Sequence, residues 1–491
     1  MSNGPNFKTY GKNRFTHFHL STFALTFLSY SLFHASRKTF SNVKATISEV
    51  WMPSCDASNI SCELLKPDNL WNEHTFFHDQ SDSKIFLGIL DATFLAAYSI
   101  GLFISGILGD RFDLRLVLFL GMTLSSICMF FFGVLTEWLS IYNKIWYLSF
   151  WILNGFAQST GWPAVVAVMG NWFPKSGRGL IFGIWSANAS VGNILGALMV
   201  ASILKYGYHY AFLLSSAVFF AGAILVLFGL IPSPKDVGLA DPDAEHKDEA
   251  AASDVEDNME QPLIQQPKAI GFFQALFLPG VIMYSLCYAC LKMVNYSFLF
   301  WLPFYLTNKF RWTESVADQI SIWYDVGGIL GGIIGGYISD VLKKRSVVIF
   351  TLLTLALPSL YIFSDSSDSK LMNAFLMSIV GFFIGGAANM ISATITADLG
   401  KQGPIQGNKD GLATVTGIVD GTGSIGAALG QLFVPLIQDR FDWFYVFYFF
   451  IVLCVLTNVC IVPLFLRESK ELYMEFKTRA GYRPVNGEAD D

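Results

Sequence analysis

Charged side chains are scarce in this sequence. Its 491 residues include 32 Lys and Arg and 38 Asp and Glu, together 14% of the chain, whereas soluble domains average about 25%. Hydrophobic residues make up 53%, which is more apolar surface than one soluble core can bury. A soluble enzyme and a disordered chain are therefore excluded. Twelve membrane-spanning helices of about 20 residues each would use most of these apolar positions.

Other features are absent as well. The net charge of −6 argues against nucleic-acid binding, which requires a basic surface. Seven cysteines in a chain of this length do not make a disulfide scaffold, and no metal-ligand spacing occurs. The apolar runs are long and unbroken, unlike the short alternating strands of an outer-membrane barrel. No cleavable signal peptide precedes the first run. We expect no metal, no cofactor and no enzymatic activity.

The apolar runs predict an all-α polytopic membrane protein with twelve transmembrane helices. The predicted regions are a cytosolic N-terminus (1–15), an N-terminal six-helix half (16–231), an acidic linker (232–273), a C-terminal six-helix half (274–466) and a cytosolic tail (467–491). Between Ser233 and Pro262 the linker contains ten acids and two bases, which is typical of a disordered segment. Basic residues favour the loops on the side of the termini, so we place that side in the cytosol.

The loop between the first two spans, 48–84, then faces a lumen or the exterior. It contains a glycosylation sequon at Asn59. Cys55 and Cys62 bracket the sequon and are a candidate disulfide, which would need an oxidising compartment.

The two halves repeat each other. The second span ends with Gly106, Asp110, Arg111 and Arg115, and the eighth ends with the equivalent Gly336, Asp340 and Arg345. We interpret each Asp, facing an Arg across a short loop, as a gating motif that latches helices together. Small residues of span 5 recur in span 11 at a distance of 234 residues, as Gly183 and Gly417 show, and they allow close helix packing. Two parallel six-helix repeats joined by a cytosolic linker resemble the major facilitator superfamily, with its two pseudo-symmetric halves.

Basic residues inside apolar spans are costly and therefore indicate function. Arg37 and Lys38 lie in span 1, and Lys292 lies in span 7. These spans are pseudo-symmetric and both line the central cavity of such a fold, so one cation from each half would face the same space. We expect this arrangement to bind a doubly charged anion; phosphate, sulfate and carboxylate remain open. Lys44 lies nearer the lumen, where it can extend toward water.

Three acids also lie inside spans, namely Asp91, Asp325 and Asp420. In one interpretation Arg37 or Lys292 merely pairs with Asp91 or Asp325. In a second, the acids hold the bases in the empty cavity and release them to the anion. In a third, Asp91 or Asp325 carries protons, because burial raises a carboxyl pKa. The corresponding alternative functions are a proton-coupled facilitator for another small anion and a non-transporting membrane subunit or receptor.

Local motifs then point to a family. The motifs are His34-Ala-Ser-Arg37-Lys38 in span 1, Asn154-Gly-Phe-Ala-Gln158-Ser-Thr-Gly-Trp162-Pro in span 4, and Trp301-Leu-Pro-Phe-Tyr-Leu306 in span 7. Together they resemble the organophosphate:phosphate antiporter family, which includes bacterial glycerol-3-phosphate transporters, and within it the eukaryotic sugar phosphate exchangers. The resemblance runs from span 1 to span 12.

This resemblance implies exchange of an organophosphate, sugar phosphate or phosphonate-like anion for inorganic phosphate, by rocking of the two halves. It implies that Arg37 binds phosphate with Lys38 as its neighbour, and that the span 4 residues Asn154, Gln158 and Trp162 contribute to the substrate site. Asn295 stands where bacterial members place a second arginine, with Lys292 one turn earlier, and span 5 lacks the histidine of several members. The resemblance favours the endoplasmic reticulum membrane, with the lysosomal membrane as the alternative. An accessory membrane subunit remains open.

The loop assignment makes a first prediction. If 48–84 is luminal, Asn59 carries a glycan, so glycosidase treatment increases the gel mobility of the wild-type chain. Asn59→Gln should migrate at that position without treatment. A wild-type chain whose mobility is unaffected by the glycosidase would contradict the assignment.

Overall fold

The computed structural model describes residues 16–50, 80–173, 178–239, 271–400 and 411–479. These residues form a helical bundle, and no strand occurs among them. The N-terminal half consists of α1 (His17–Val50), α2 (Gln80–Arg111), α3 (Leu114–Leu139), α4 (Lys144–Gln158 and Gly161–Trp172), α5 (Arg178–Trp185 and Asn188–Ile203) and α6 (Tyr208–Gly229). The C-terminal half consists of α7 (Val281–Phe310), α8 (Glu314–Leu342), α9 (Arg345–Ser364), α10 (Lys370–Leu399), α11 (Leu412–Arg440) and α12 (Trp443–Arg479). Short helices at Pro234–Val237 and Phe272–Leu276 flank residues 240–270.

Nine helices of the described residues are long and apolar enough to cross a membrane on their own. The other three of the twelve are α1, α4 and α7. Helix α4 is divided into two segments, each shorter than a span, whereas α1 and α7 contain Arg37, Lys38 and Lys292 among many hydroxyl side chains. These less apolar helices face the interior of the bundle, since all three bases are buried.

A proline explains the division of α4. Pro163 has no backbone N–H and cannot bond to the carbonyl of Ser159, four residues earlier. That carbonyl instead accepts a hydrogen bond of 2.8 Å from the hydroxyl of Ser105 on α2. The break lies directly after Gln158, so Gln158 ends the first segment in the middle of the bundle.

Pro303 also frees a carbonyl in α7, although α7 continues through it as one helix. It leaves the carbonyl of Leu299 without its helical donor. The Lys38 ammonium donates to this carbonyl at 3.3 Å, and the Ser41 hydroxyl does so at 3.5 Å. A proline in the C-terminal half thus creates an acceptor for a base of the N-terminal half.

The two halves meet mainly along two helix pairs, α2 with α11 and α5 with α8. Glycines allow these contacts: a Cβ atom on Gly106 would lie 2.8 Å from the carbonyl oxygen of Ala413, and one on Gly183 would lie 2.7 Å from that of Gly332. These glycines come from the repeats seen in the sequence. Because backbone carbonyls cannot move aside easily, larger residues would push the halves apart.

Helix α12 continues past the boundary predicted for a cytosolic tail at 467. It extends to Arg479, and two of its last turns contact the loop before α9. Lys344 forms ion pairs with Glu471 at 2.6 Å and with Glu475 at 3.4 Å. The hydrogen bond that Lys344 donates to Glu471 raises the pKa of Lys344 above its ordinary value.

Three predicted features, Asn59, Cys55 and Cys62, lie outside the described residues. The other five cysteines are free thiols within helices: Cys128, Cys287, Cys290, Cys454 and Cys460.

The glycine contacts predict opposite effects of two similar substitutions. A Cβ atom on Gly196 would lie 2.6 Å from the carbonyl oxygen of Ala35, so Gly196→Ala should destabilise the protein by about 1–3 kcal/mol through overpacking. A Cβ atom on Gly88 meets nothing closer than 3.6 Å, so Gly88→Ala should be neutral or slightly stabilising because alanine favours helix. Unfolding temperatures in detergent measure both effects. A Gly196→Ala protein as stable as Gly88→Ala would contradict the packing described for α1 and α5.

Candidate anion-binding site

Arg37 lies at the centre of the bundle with only 2% of its surface exposed. Its Nε donates to Gln158 Oε1 at 2.7 Å, and its Nη1 donates to the hydroxyl of Tyr296 at 3.3 Å. The guanidinium lies over the ring of Tyr98, 4.5 Å from the ring centroid. Its Nη2 is buried and has no hydrogen-bond partner, and Arg37 forms no ion pair with a carboxylate of the described residues. The guanidinium therefore keeps one donor and its full charge available for an anion.

Gln158 is held in place by a chain of side chains on the N-terminal half. Its Nε2 donates to the hydroxyl of Ser36 at 3.0 Å and approaches Asn154 Oδ1 at 3.5 Å. Ser125 also donates to Asn154 Oδ1, at 2.6 Å. These contacts occupy the amide nitrogen of Gln158, so its oxygen points to Arg37. Asn154 therefore acts on Arg37 through Gln158.

Lys292 approaches the same place from the C-terminal half. Its ammonium donates to Asp420 Oδ1 at 2.7 Å and to the hydroxyl of Ser424 at 2.8 Å. It lies 4.9 Å from the ring centroid of Tyr296 and 5.5 Å from that of Tyr98. Arg37 and Lys292 thus share both tyrosines, so the structure brings together the two bases that the sequence placed on opposite halves.

The ion pairs differ from the pairs considered in the sequence. Lys292 pairs with Asp420 of α11 rather than with Asp91 or Asp325. Asp91 pairs with Lys44, so Lys44 is anchored inside the bundle instead of extending toward water. The reason is helix orientation, because α11 packs beside α7 whereas α2 faces α1 at the level of Lys44.

The Lys44–Asp91 pair also touches the opposite half. The Lys44 ammonium lies 5.2 Å from the ring centroids of both Phe300 and Trp301, at the predicted luminal end of α7. Trp301 in turn donates to Gln431 of α11 at 2.8 Å. These contacts close the predicted luminal side between α1 and α7.

Lys38 and Asp325 lie on a different side of α1 from Arg37. They line a cavity of about 50 Å³ between α1, α5, α7 and α8, which has room for about four water molecules. Asn193 Nδ2 donates to Asp325 Oδ1 at 2.9 Å, and the hydroxyl of Tyr324 donates to Asn295 Oδ1 at 2.6 Å. Asn295, which the family resemblance aligns with a second arginine, therefore lines this cavity and is not among the described hydrogen-bond partners of Arg37.

Trp162 crosses the interface between the halves nearer the predicted cytosolic side. Its indole N–H donates to the carbonyl of Ser392 on α10 at 3.2 Å. Its rings pack against Tyr30, with centroids 4.5 Å apart, and stack on Trp185 at 5.3 Å. Trp162 thus forms a wall of the site region. Its hydrogen bonds and ring contacts with described residues do not include Arg37 or Lys292.

The gating motifs bind helix N-termini of the opposite half. Asp110 accepts hydrogen bonds from the backbone N–H groups of Ala413 and Thr414 at 3.0 and 2.8 Å. Asp340 accepts one from the N–H of Leu180 at 2.8 Å. Free N–H groups at a helix start attract a carboxylate, so the two Asp residues close the predicted cytosolic side on α11 and α5.

The arginines of these motifs behave differently in the two halves. Arg345 pairs with Asp340 at 2.8 Å and with Asp398 at 3.2 Å, across the loop as expected. Arg115 instead pairs with Asp113 at 3.2 Å. Arg111 ends α2 with an exposed side chain.

The resulting arrangement favours binding of an anion over catalysis. Arg37 and Lys292 contribute two positive charges and Asp420 one negative charge, so the cluster has an excess of one positive charge with Asp420 ionised. A guanidinium fork and an ammonium together suit an oxyanion with several oxygens. No cluster of three potential metal ligands occurs in the part of the chain that the structure describes.

Sequence reasoning missed Tyr98, Tyr296 and Asn193. Tyr296 lies four residues after Lys292, hence on the same face of α7, and this spacing could have identified it. Tyr98 and Asn193 carry no such signal, because tyrosine and asparagine also occur in helices as packing residues.

The sequence is similar to several known proteins. The sequence model described as Major Facilitator Superfamily matches residues 11–407. Sugar phosphate exchanger 3 of Xenopus laevis is 56% identical over 479 residues, covering 94% of both chains. Sugar phosphate exchanger 3 of Homo sapiens is 56% identical over 476 residues, covering 94% of this chain and 96% of the human one. Glucose-6-phosphate exchanger SLC37A2 of Xenopus laevis is 37% identical over 470 residues, covering 91% and 92%.

The latch at α11 makes a further prediction. Asp110→Ala removes the acceptor for two backbone N–H groups at the start of α11, so hydrogen–deuterium exchange at 411–416 should become faster. The region 178–182, which Asp340 holds, should change less. Asp113→Ala is the matched control, because Asp113 binds Arg115 within its own loop. Unchanged exchange at 411–416 in Asp110→Ala would show that Asp110 does not hold α11.

Proposed function

Because the chain belongs to the major facilitator superfamily and, within it, to the organophosphate:phosphate antiporter family of the sugar phosphate exchangers, we propose that it exchanges an organophosphate for inorganic phosphate across an endomembrane. The transported anion is a sugar phosphate or a related organophosphate or phosphonate. Two observations support the proposal: similar proteins are named sugar phosphate exchangers, and the buried bases can bind a phosphoryl group.

One observation carries this proposal: among the residues that the structure describes, the buried Arg37 has no hydrogen-bond partner at Nη2 and no carboxylate partner. An unpaired cation in the middle of a membrane protein is expensive, and it persists where an anion compensates it. Lys292 lies on the other side of the same two tyrosines. A phosphoryl group at Nη2 can replace Tyr296 on Nη1 and then receive both prongs of the guanidinium fork.

The placement of the bases couples binding to movement. Arg37 lies in the N-terminal half and Lys292 in the C-terminal half. Asp110 and Lys44 hold these two halves together. An anion that contacts both stabilises the closed arrangement over one in which the halves have separated. Such differential contact is what a ligand needs in order to shift a conformational equilibrium. Without the anion, Arg37 contacts the other half through the neutral hydroxyl of Tyr296, and replacing this contact by a charged bridge suits obligatory exchange.

The acids have defined places in this cycle. Asp420 neutralises Lys292 in the empty site and gives up part of that pairing when the anion arrives. Asp91 holds Lys44 at the predicted luminal contact. A proton-coupled facilitator would instead need a carboxyl group that gains and loses a proton in each cycle, and its transport would follow a pH gradient without phosphate on the far side.

We propose the endoplasmic reticulum membrane as the location, with the lysosomal membrane as the alternative. The predicted luminal loop contains the sequon at Asn59 and the candidate disulfide between Cys55 and Cys62. A disulfide forms in an oxidising lumen, which supports an endomembrane location. Co-fractionation of the tagged chain with markers of both organelles decides between them.

Arg37 provides the test. In phosphate-loaded liposomes, Arg37→Ala should lower exchange by a factor of at least about 100, because removing one partner from a desolvated charge contact typically costs about 3–5 kcal/mol. Arg37→Lys should also fail largely, since it keeps the charge and loses the fork. Lys292→Arg should be milder because the charge and the reach remain.

Uptake of labelled phosphate and of labelled organophosphates measures these effects, with equal folding checked by glycosylation and size-exclusion chromatography. Arg37→Ala with near wild-type exchange would make Arg37 a structural residue. Transport driven by a pH gradient and indifferent to internal phosphate would favour the proton-coupled alternative.

A further inference from the structure

Two sides of the Arg37 cluster differ in the space that the described residues leave for the organic part of a substrate. Toward α2 and α11 the packing is tight: a Cβ atom on Gly417 would lie 2.5 Å from the carbonyl oxygen of Leu102, and one on Gly421 would lie 2.8 Å from the ring of Phe103. The hydroxyl of Ser99 further ties α2 to the carbonyl of Gly421 at 2.6 Å. A phosphorylated solute bound at Arg37 cannot extend in this direction.

On the opposite side lies the cavity of about 50 Å³. Tyr296 forms the wall between the two, because its hydroxyl bonds to Arg37 and its side chain lines the cavity. When a phosphoryl group displaces the Tyr296 hydroxyl, the rest of the solute is adjacent to this space. The cavity lies where the halves meet, with α1 and α5 on one side and α7, α8 and α10 on the other. At about 50 Å³ it is smaller than a hexose, so a sugar would enter only if the rocking of the halves separates α5 from α8.

The charges of this cavity do not suit a second phosphoryl group. Among the described residues that line it, Lys38 is the one lysine or arginine and Asp325 the one carboxylic acid, and Lys38 donates to the Leu299 carbonyl. One base and one acid balance each other, so the cavity lacks the excess positive charge of the Arg37 cluster. The phosphoryl group therefore belongs at Arg37 and Lys292, and the cavity takes an uncharged polar group.

The hydrogen-bonding groups of the cavity match hydroxyls. Asn193 bridges the halves, since its Nδ2 donates to Asp325 Oδ1 at 2.9 Å and its Oδ1 contacts His34 Nδ1 at 3.1 Å. Asn295 and Tyr324 form a second polar pair. A sugar hydroxyl both donates and accepts hydrogen bonds, so hydroxyls can take over the bond between Asn193 and Asp325 without leaving either group unpaired.

We infer that the cavity at the α5–α8 contact receives the organic part of the solute, and that Asn193 and Asp325 select a polyhydroxylated one. This inference rests on the proposed function and adds the residues that determine specificity. A site built to bind hydroxyls rejects analogues that lack them, because its polar groups would remain unpaired. The protein should therefore prefer glucose 6-phosphate to methyl phosphate.

Exchange with and without an organic part tests the inference. The purified full-length protein is placed in phosphate-loaded liposomes, and uptake of labelled phosphate, glucose 6-phosphate and methyl phosphate is measured. Inorganic phosphate needs the Arg37 cluster and has no group to place in the cavity. In Asp325→Asn and Asn193→Ala, uptake of glucose 6-phosphate should fall about tenfold or more relative to uptake of phosphate. Ser202→Ala, on α5 with its hydroxyl bonded to the Met199 carbonyl, is the control and should change neither.

Each other result contradicts the inference. An equal loss of phosphate and glucose 6-phosphate uptake would make Asn193 and Asp325 positioning residues for the fold. Unchanged uptake of both in the two variants would exclude contact with the solute. A wild-type protein that transports methyl phosphate as fast as glucose 6-phosphate does not select hydroxyls. A wild-type protein that exchanges no phosphate at all contradicts the proposed function itself, and the inference fails with it.

Discussion

A guanidinium held in the middle of a helical bundle is the constraint on which the rest of this structure depends. Burial of Arg37 is costly, and the chain compensates it with neutral groups, namely the Gln158 amide, the Tyr296 hydroxyl and the Tyr98 ring. Among the described residues no carboxylate neutralises it by direct pairing. The proline break in α4 contributes to this compensation, because it ends a helix segment at Gln158, which accepts a hydrogen bond from Arg37. Neutral side chains therefore hold the guanidinium in place but leave its positive charge uncompensated. Such a charge favours binding of an anion.

The other buried bases are compensated in ways that separate their roles. Lys292 has Asp420 and Ser424, Lys44 has Asp91, and Lys38 has a carbonyl that Pro303 leaves free. Lys44 and Lys38 both reach α7 from α1, so they join the halves, while Asp110 and Asp340 join them at the opposite end through helix N-termini. The centre is thus enclosed from both ends. Movement of the halves has to break one set of these contacts at a time.

Much of this could be predicted from the sequence. Long apolar runs and the repeated motifs with Asp110 and Asp340 predicted two six-helix halves, and the family match confirms the superfamily. Buried bases on spans 1 and 7 directed attention to Arg37 and Lys292. Their partners could not be derived, because pairing depends on how each helix is rotated: Lys292 faces α11 and Asp420, not Asp91 or Asp325. Arg37 and Lys38 are neighbours in sequence, yet they face different surroundings because successive residues of a helix point about 100° apart.

The central claim is that one phosphate ion joins the two halves through Arg37. Electron paramagnetic resonance distances between spin labels at Ile145 and Leu371 test it most directly. These exposed positions, 73% and 82% accessible, begin α4 and α10 in opposite halves. We expect phosphate to shift the wild-type distances toward the shorter, closed population and to leave those of Arg37→Ala unchanged. An equal phosphate-induced shift in Arg37→Ala would contradict the claim, because closure would then not depend on the guanidinium.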